Sequence, residues 1–195
     1  MKKIGITGGI GSGKSMLTNW LREKGYPVID ADEVSREAAA PGEPAMLRLL
    51  EEIGSEVFNN DGSLNRQKLA NIIFYDPISL MTVNEIFHGD IKERIEEKVS
   101  EHEKMGERVV FLSVPLLFET EADWLLDEKW LVTSDEEKRL KRVMDRDGIT
   151  EQDVRARMAS QMPEEKKRAK ADFIIENNGT PDDLYGEVEK ILKRI

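Results

Sequence analysis

The sequence predicts an α/β fold: a five-stranded parallel sheet flanked by helices, with two helical stretches longer than plain crossovers require. Three observations carry this reading. Residues 1–30 read strand, glycine-rich loop, helix, strand, a βαβ unit of the kind that builds parallel sheets. Val109-Val110-Phe111-Leu112, Trp130-Leu131-Val132-Thr133 and Phe173-Ile174-Ile175 are short continuous apolar runs, as in strands covered on both faces. Between these runs, apolar residues recur every three or four positions, the helical period.

The first strand spans Lys3 to Thr7 and stops at paired glycines. A helix follows from about Lys14 to Lys24, with Met16, Leu17, Trp20 and Leu21 on one face and Gly25 at the left-handed C-terminal cap. Pro27-Val28-Ile29-Asp30 is the second strand. Met46, Leu49, Leu50 and Ile53 then repeat at helical spacing. Asn59-Asn60-Asp61-Gly62 is a turn cluster, and Leu69, Ile72 and Ile73 mark another short helix. Asp76-Pro77 supplies an N-cap and a first-turn proline to a helix carrying Leu80, Val83, Phe87, Ile91, Ile95 and Val99. Gly89 interrupts that run and predicts a kink or a helix boundary near His88. A charged helical stretch covers about 135–171. Thr180-Pro181-Asp182-Asp183 then opens the last helix, whose buried stripe is Leu184, Val188, Ile191, Leu192 and Ile195. The expected parts are a core at about 1–30, 106–134 and 172–195, a helical insertion at about 31–105, and a lid at about 135–171.

Composition excludes several classes. The 195 residues are 39% hydrophobic and 35% charged, and no apolar run approaches the ~20 residues a membrane span needs. The N-terminus turns to glycines too soon for a signal peptide. The absence of cysteine excludes disulfides, thiolate metal sites and a cysteine nucleophile. A cytoplasmic location follows by elimination. The net charge of −10 argues against a broad nucleic-acid or anionic-membrane surface, yet leaves room for a local polyphosphate site.

Gly8-Gly9-Ile10-Gly11-Ser12-Gly13-Lys14-Ser15 matches the P-loop pattern in full and sits between a strand and a helix, the context its chemistry demands. Glycines let the backbone take positive φ and bring its N–H groups close to phosphate. The following helix aims its positive end at the same point. Lys14 reaches the β- and γ-phosphates, and the Ser15 hydroxyl is the expected Mg²⁺ ligand. An ATP-binding phosphotransferase is the reading.

A Walker B strand ends in an acid that holds Mg²⁺. Here Val109 to Leu112 continues as Ser113-Val114-Pro115, without one. No Asn-Lys-x-Asp guanine reader is present either, which counts against a nucleotide switch. Acids instead follow the second strand, as Asp30-Ala31-Asp32. A carboxylate there is suited either to accept the proton of an acceptor hydroxyl or to orient the Mg²⁺ water shell, and Asp32 is the favoured base. Either acid is equally suited to cap the next helix, and the two roles are compatible. Arg139, Arg142 and Arg146 share one helical face. They read either as a lid that brings arginine to the transferring phosphate or as a solvated helix laced with ion pairs.

Several segments together resemble the dephospho-coenzyme A kinase family. They are Thr7 to Ser15, Val28-Ile29-Asp30-Ala31-Asp32, Asp61-Gly62-Ser63-Leu64-Asn65-Arg66 with Leu69, and Asn84-Glu85-Ile86-Phe87-His88. Val114-Pro115-Leu116-Leu117-Phe118-Glu119 follows, then Arg142, Arg146, Gln161 and Ala171-Asp172-Phe173-Ile174-Ile175-Glu176-Asn177-Asn178-Gly179. Pro-Leu-Leu-Phe-Glu and the Ala-Asp to Asn-Asn-Gly ending are the specific parts, and the resemblance covers nearly the whole chain. It implies a P-loop kinase core with a helical coenzyme-A-binding part and a lid. The implied reaction transfers the γ-phosphoryl group of ATP, with Mg²⁺, to the ribose 3′-hydroxyl of dephospho-coenzyme A. It also implies catalytic roles for Lys14, Asp32 and Arg142. ATP contacts would come from Gly11, Ser12, Gly13, Lys14, Ser15 and Met16, and acceptor contacts from Thr7, Asp32, Arg36, His88 and Leu116.

Three positions depart from the family pattern. Met16 stands where threonine is usual, and His88-Gly89 where His-Pro is usual. Ser113 replaces an aspartate found in many members, which shifts weight to Asp32. The competing readings are another small-molecule or nucleoside monophosphate kinase and a nucleotide-dependent regulatory module.

Overall fold

In the computed structural model of the chain, which describes residues 1–120 and 125–195, β1 (Lys2–Gly8) lies at the centre of the sheet. It pairs in parallel with β3 (Val109–Ser113) on one side and β4 (Glu128–Thr133) on the other. β2 (Val28–Asp30) pairs with β3, and β5 (Phe173–Glu176) with β4, giving the all-parallel order β2-β3-β1-β4-β5. Ser113 is the register partner of both Ile6 in β1 and Asp30 in β2. The C-terminal ends of β1, β2 and β3 therefore lie along one edge. In such sheets ligands bind outside that edge, where the strand order turns about the first strand.

Apolar strand residues and two helical stripes build the core. α1 (Lys14–Glu23) buries Leu17, Trp20 and Leu21, and α9 (Pro181–Leu192) buries Leu184, Val188 and Ile191. These pack on Ile4, Ile6, Phe111, Trp130, Val132 and Ile175. Each fully buried side chain of this size contributes about 1.5–3 kcal/mol. α1 ends as its sequence requires: Gly25 takes φ +84°, which a left-handed turn asks of glycine. α9 opens with a capping box, Thr180 accepting from Asp183 N while the Asp183 carboxylate accepts from Thr180 N.

The chain divides into two compact units: Met1–Asp30 with His102–Ile195, and Ala31–Glu101. The second holds α2 (Ala31–Ala38), α3 (Pro44–Glu52), a 3₁₀ turn at Ser55–Val57, α4 (Arg66–Tyr75) and most of α5 (Pro77–Lys104). Its own core contains Met46, Leu49, Val57, Leu69, Val83 and Ile86. The boundary expected near His88 is not there: α5 is one element through Gly89. A helix-interior glycine costs only about 1 kcal/mol, and the buried stripe of Val83, Ile86, Ile95 and Val99 outweighs that. Asp76 does cap this helix, accepting from Ile78 N at 3.0 Å and Ser79 Oγ at 2.6 Å.

Residues 135–171, the charged helical stretch, form three helices: α6 (Glu136–Asp147), α7 (Glu151–Ala159) and α8 (Glu164–Lys170). Gly148 at φ +64° ends α6, and a Thr150–Asp153 capping box starts α7. Among the described residues no helix is long and apolar enough to cross a membrane.

Candidate active site

The glycine loop joins β1 to α1. Gly11 and Gly13 take φ of +76° and +98°, a region that L side chains rarely adopt. Space imposes glycine as well. A Cβ on Gly11 would lie 2.6 Å from the Arg139 carbonyl oxygen, and one on Gly13 would collide with Asn177 Nδ2. Gly13 is the N-cap of α1, and no side chain caps that helix end. The first amides of α1 are therefore available to an anion at the positive end of the helix.

Side chains from distant elements brace this loop. Asn177, buried just after β5, donates from Nδ2 to Ser12 O at 2.8 Å. Arg142 on α6 donates from Nη2 to Asn177 O at 2.9 Å, with longer contacts from Nη1 to Gly11 O at 3.3 Å and Ser12 O at 3.5 Å. Gln161, between α7 and α8, accepts from Ile10 N at 3.0 Å. Ile10 itself packs with Leu140, Val143 and Val154. The buried Ser12 Oγ has no hydrogen-bond partner among the described residues.

The three arginines that share a helical spacing occupy three environments. Arg142 is spread over loop carbonyls, as above. Arg146 is mostly exposed and paired with Asp147 at 2.7 Å. Arg139 pairs with Glu164 at 3.1 Å and leaves its buried Nε without a hydrogen bond among the described residues. Its guanidinium borders a cavity of about 310 Å³ beside Gly9, lined also by Gln161, Glu164 and Lys167.

Lys14 Nζ donates to the buried Ser113 Oγ at 2.5 Å. Asp30 stands at the end of β2 in register with the same Ser113. Ser15 and Met16 are exposed at the start of α1. Thr7 is fully buried and donates its hydroxyl to Pro115 O at 3.1 Å. Just past Pro115, Leu116 is exposed while Leu117 and Phe118 are buried with Leu131. Glu119 closes this segment. Burial pushes its carboxyl up, but the Lys167 ammonium and the Met162 amide outweigh that and hold it below the ordinary range.

In the other unit, Asp32 lies in the first turn of α2 and Arg36 one turn on, both exposed on one helix face. His88 is exposed on α5. Asp32 is two residues beyond the end of β2, and Asp30 occupies the residue before α2.

Hard oxygen donors are present for Mg²⁺ in the Ser15 hydroxyl and the Asp30 carboxylate. No group of three or more potential metal ligands from His, Cys, Asp or Glu gathers among the described residues.

Three residues with evident structural parts at the loop, Asn177, Gln161 and Ser113, carry no role in the sequence reading. Asn177 and Gln161 act through side-chain contacts to backbone 165 and 151 positions away, which no local spacing reveals. Their one sequence signal is membership of the resembling segments.

Comparison with known proteins agrees with this geometry. The profile of a family described as dephospho-CoA kinase matches residues 2–183. A dephospho-CoA kinase from Shouchella clausii is 39% identical over 192 residues, covering 98% of each chain. A crystal structure of TT1252 from Thermus thermophilus matches with a TM-score of 0.82 at 37% identity, over 100% of this chain and 97% of that one. A dephospho-CoA kinase from Campylobacter jejuni matches with a TM-score of 0.70 at 26% identity, over 99% and 96%. With a parallel sheet, a braced P-loop and a family profile that spans nearly its whole length, the chain belongs to the dephospho-CoA kinase family.

Proposed function

We propose that the chain transfers the γ-phosphoryl group of ATP to the ribose 3′-hydroxyl of dephospho-coenzyme A, giving coenzyme A and ADP. The observation that carries this reading is the glycine loop. It presents the uncapped amides of α1 and the Lys14 ammonium at the strand edge where Ser113 and Asp30 meet. Family membership names the acceptor.

In the proposed reaction the 3′-oxygen forms a bond to the γ-phosphorus as the bond to the β,γ-bridging oxygen breaks. Asp32 accepts the hydroxyl proton. Lys14 and the α1 amides stabilise charge on the phosphoryl oxygens, in a step where catalysis is mostly positioning and electrostatics. Gly11, Ser12, Gly13, Ser15 and Met16 contribute the remaining ATP contacts. Arg142 acts by holding the loop carbonyls that set this backbone. The Ser15 hydroxyl and the Asp30 carboxylate would hold Mg²⁺ together with the phosphates, and the ion would supply charge neutralisation there. Arg36, His88 and Leu116 contact the acceptor, and Thr7 serves it by fixing Pro115. A cytoplasmic site of action, where ATP is the available donor, belongs to the same proposal.

A coupled assay for ADP tests this with Mg²⁺-ATP and dephospho-coenzyme A, AMP, CMP or shikimate in parallel. The expected result is rapid ADP release with dephospho-coenzyme A alone. Equal rates with and without that acceptor would overturn the proposal.

A further inference from the structure

Lys167 on α8 is buried, with Nζ 2.8 Å from Glu119 Oε1. The same carboxylate oxygen accepts from Met162 N at 3.0 Å. The residue before Met162 is Gln161, whose side chain accepts from Ile10 N in the phosphate loop at 3.0 Å. Two adjacent residues thus hold two different segments: residue 161 the nucleotide loop, residue 162 the segment ending at Glu119. At its other end that segment is held by Thr7, the residue of β1 just before the loop, through Pro115 O. Leu117 and Phe118 anchor the stretch between, and Leu116 is turned to solvent.

Stability alone does not call for an ion pair here. Two charges withdrawn from water gain little over a well-packed apolar pair of the same volume. An ion pair with a shared backbone donor does something an apolar pair cannot, since it fixes distance and direction. Glu119 Oε2 and the Lys167 ammonium also have no further hydrogen-bond partner among the described residues.

We infer that Glu119 and Lys167 are positioning residues for phosphoryl transfer. Through Met162 and Gln161 they hold the segment that presents Leu116 in fixed register with the phosphate loop. The inference rests on the acceptor role given to that segment above. Misplacing reacting groups by about 1 Å costs on the order of 100-fold in rate, so small slippage of this segment has a large effect.

The test uses Lys167→Met, Glu119→Gln and the double variant, with kcat, both KM values and Tm measured for each. Loss of the pair is expected to lower kcat/KM for dephospho-coenzyme A by about 10–100-fold through acceptor KM and kcat together. The ATP KM should stay within about threefold of wild type. In the double variant no lone buried charge remains, so Tm should recover toward wild type while kcat/KM stays low. Recovery of kcat/KM in step with Tm, or single variants with wild-type kcat/KM, would overturn the inference and leave a structural ion pair. A wild-type enzyme that makes no ADP in response to dephospho-coenzyme A would instead remove the acceptor reading, and this inference with it.

Discussion

Lys14 Nζ donates a 2.5 Å hydrogen bond to Ser113 Oγ, which joins the phosphate loop to the end of the neighbouring strand. The serine is fully buried and offers a neutral acceptor. The bond is charge-assisted by the ammonium and contributes about 1.5–3 kcal/mol, and a phosphate oxygen, itself charged, is the stronger acceptor for Lys14. Lys14→Ala is expected to lower kcat by about 10²–10³-fold, the scale for removing one transition-state donor. Ser113→Ala is expected to cost less than about tenfold. Steady-state kinetics of both variants check this, and a larger loss in Ser113→Ala would give the hydroxyl a direct part in the reaction.

The two acids after β2 separate by position. Asp30 is a strand residue in register with Ser113, whereas Asp32 is exposed in the first helical turn. Asp32→Asn is expected to lower kcat by about 10²–10⁴-fold while an ATP analogue still binds. Asp30→Asn should instead raise the Mg²⁺ concentration needed for half-maximal rate. Interchanged phenotypes would exchange the two roles.

The fold was legible where local chemistry decides it. Strand, loop, helix and strand at residues 1–30 follow from period, glycine placement and capping, and the observed elements agree within a residue or so. Gly89 marks no helix boundary because helix propensity is weak beside the tertiary burial of Val83 and Ile86 on the same helix. At the site, the glycine pattern declared its function because backbone needs phrase themselves in sequence. The Arg142, Asn177 and Gln161 braces did not, because a side chain that bonds a remote carbonyl or amide leaves no periodic trace.

Gly13 is constrained twice, by φ of +98° and by Asn177 Nδ2 lying where a Cβ would go. Gly13→Ala is expected to abolish measurable ATP binding in calorimetry. Adding Asn177→Ala removes the collision but leaves the backbone strain and frees Ser12 O from its partner. The double variant should therefore remain defective. Restored binding in it would show that contact with Asn177 alone makes glycine necessary.

Arg142 spans three carbonyl groups with one planar guanidinium. An ammonium is a single compact donor and cannot match that spread. Arg142→Lys is therefore expected to raise the ATP KM about tenfold, the equivalent of about 1.4 kcal/mol, with a lower Tm. An unchanged ATP KM with reduced kcat would place the guanidinium on the transferring phosphate instead.

Glu119 makes the acid stability of the fold a readout of its pairing. Burial raises its carboxyl pKa, but the Lys167 hydrogen bond, the Met162 amide and the Lys167 charge together leave it below the ordinary value of 4.5. Between the folded and unfolded values the unfolded chain binds more protons, so stability rises with pH there. The contribution of Glu119 is complete above about 4.5 and is lost as pH falls through the lower folded value. Lys167→Met removes the two contributions that come from the lysine and leaves burial opposed by the Met162 amide and the amide of Glu119 itself. The folded pKa is then expected to rise toward the unfolded one, so the stability that Glu119 gains as pH rises shrinks. Urea unfolding from about pH 3 to about pH 7, with Glu119→Gln subtracted as the reference, isolates this group. The wild-type difference should grow with pH more steeply than the Lys167→Met difference. Parallel curves would show that Lys167 does not set the ionisation of Glu119.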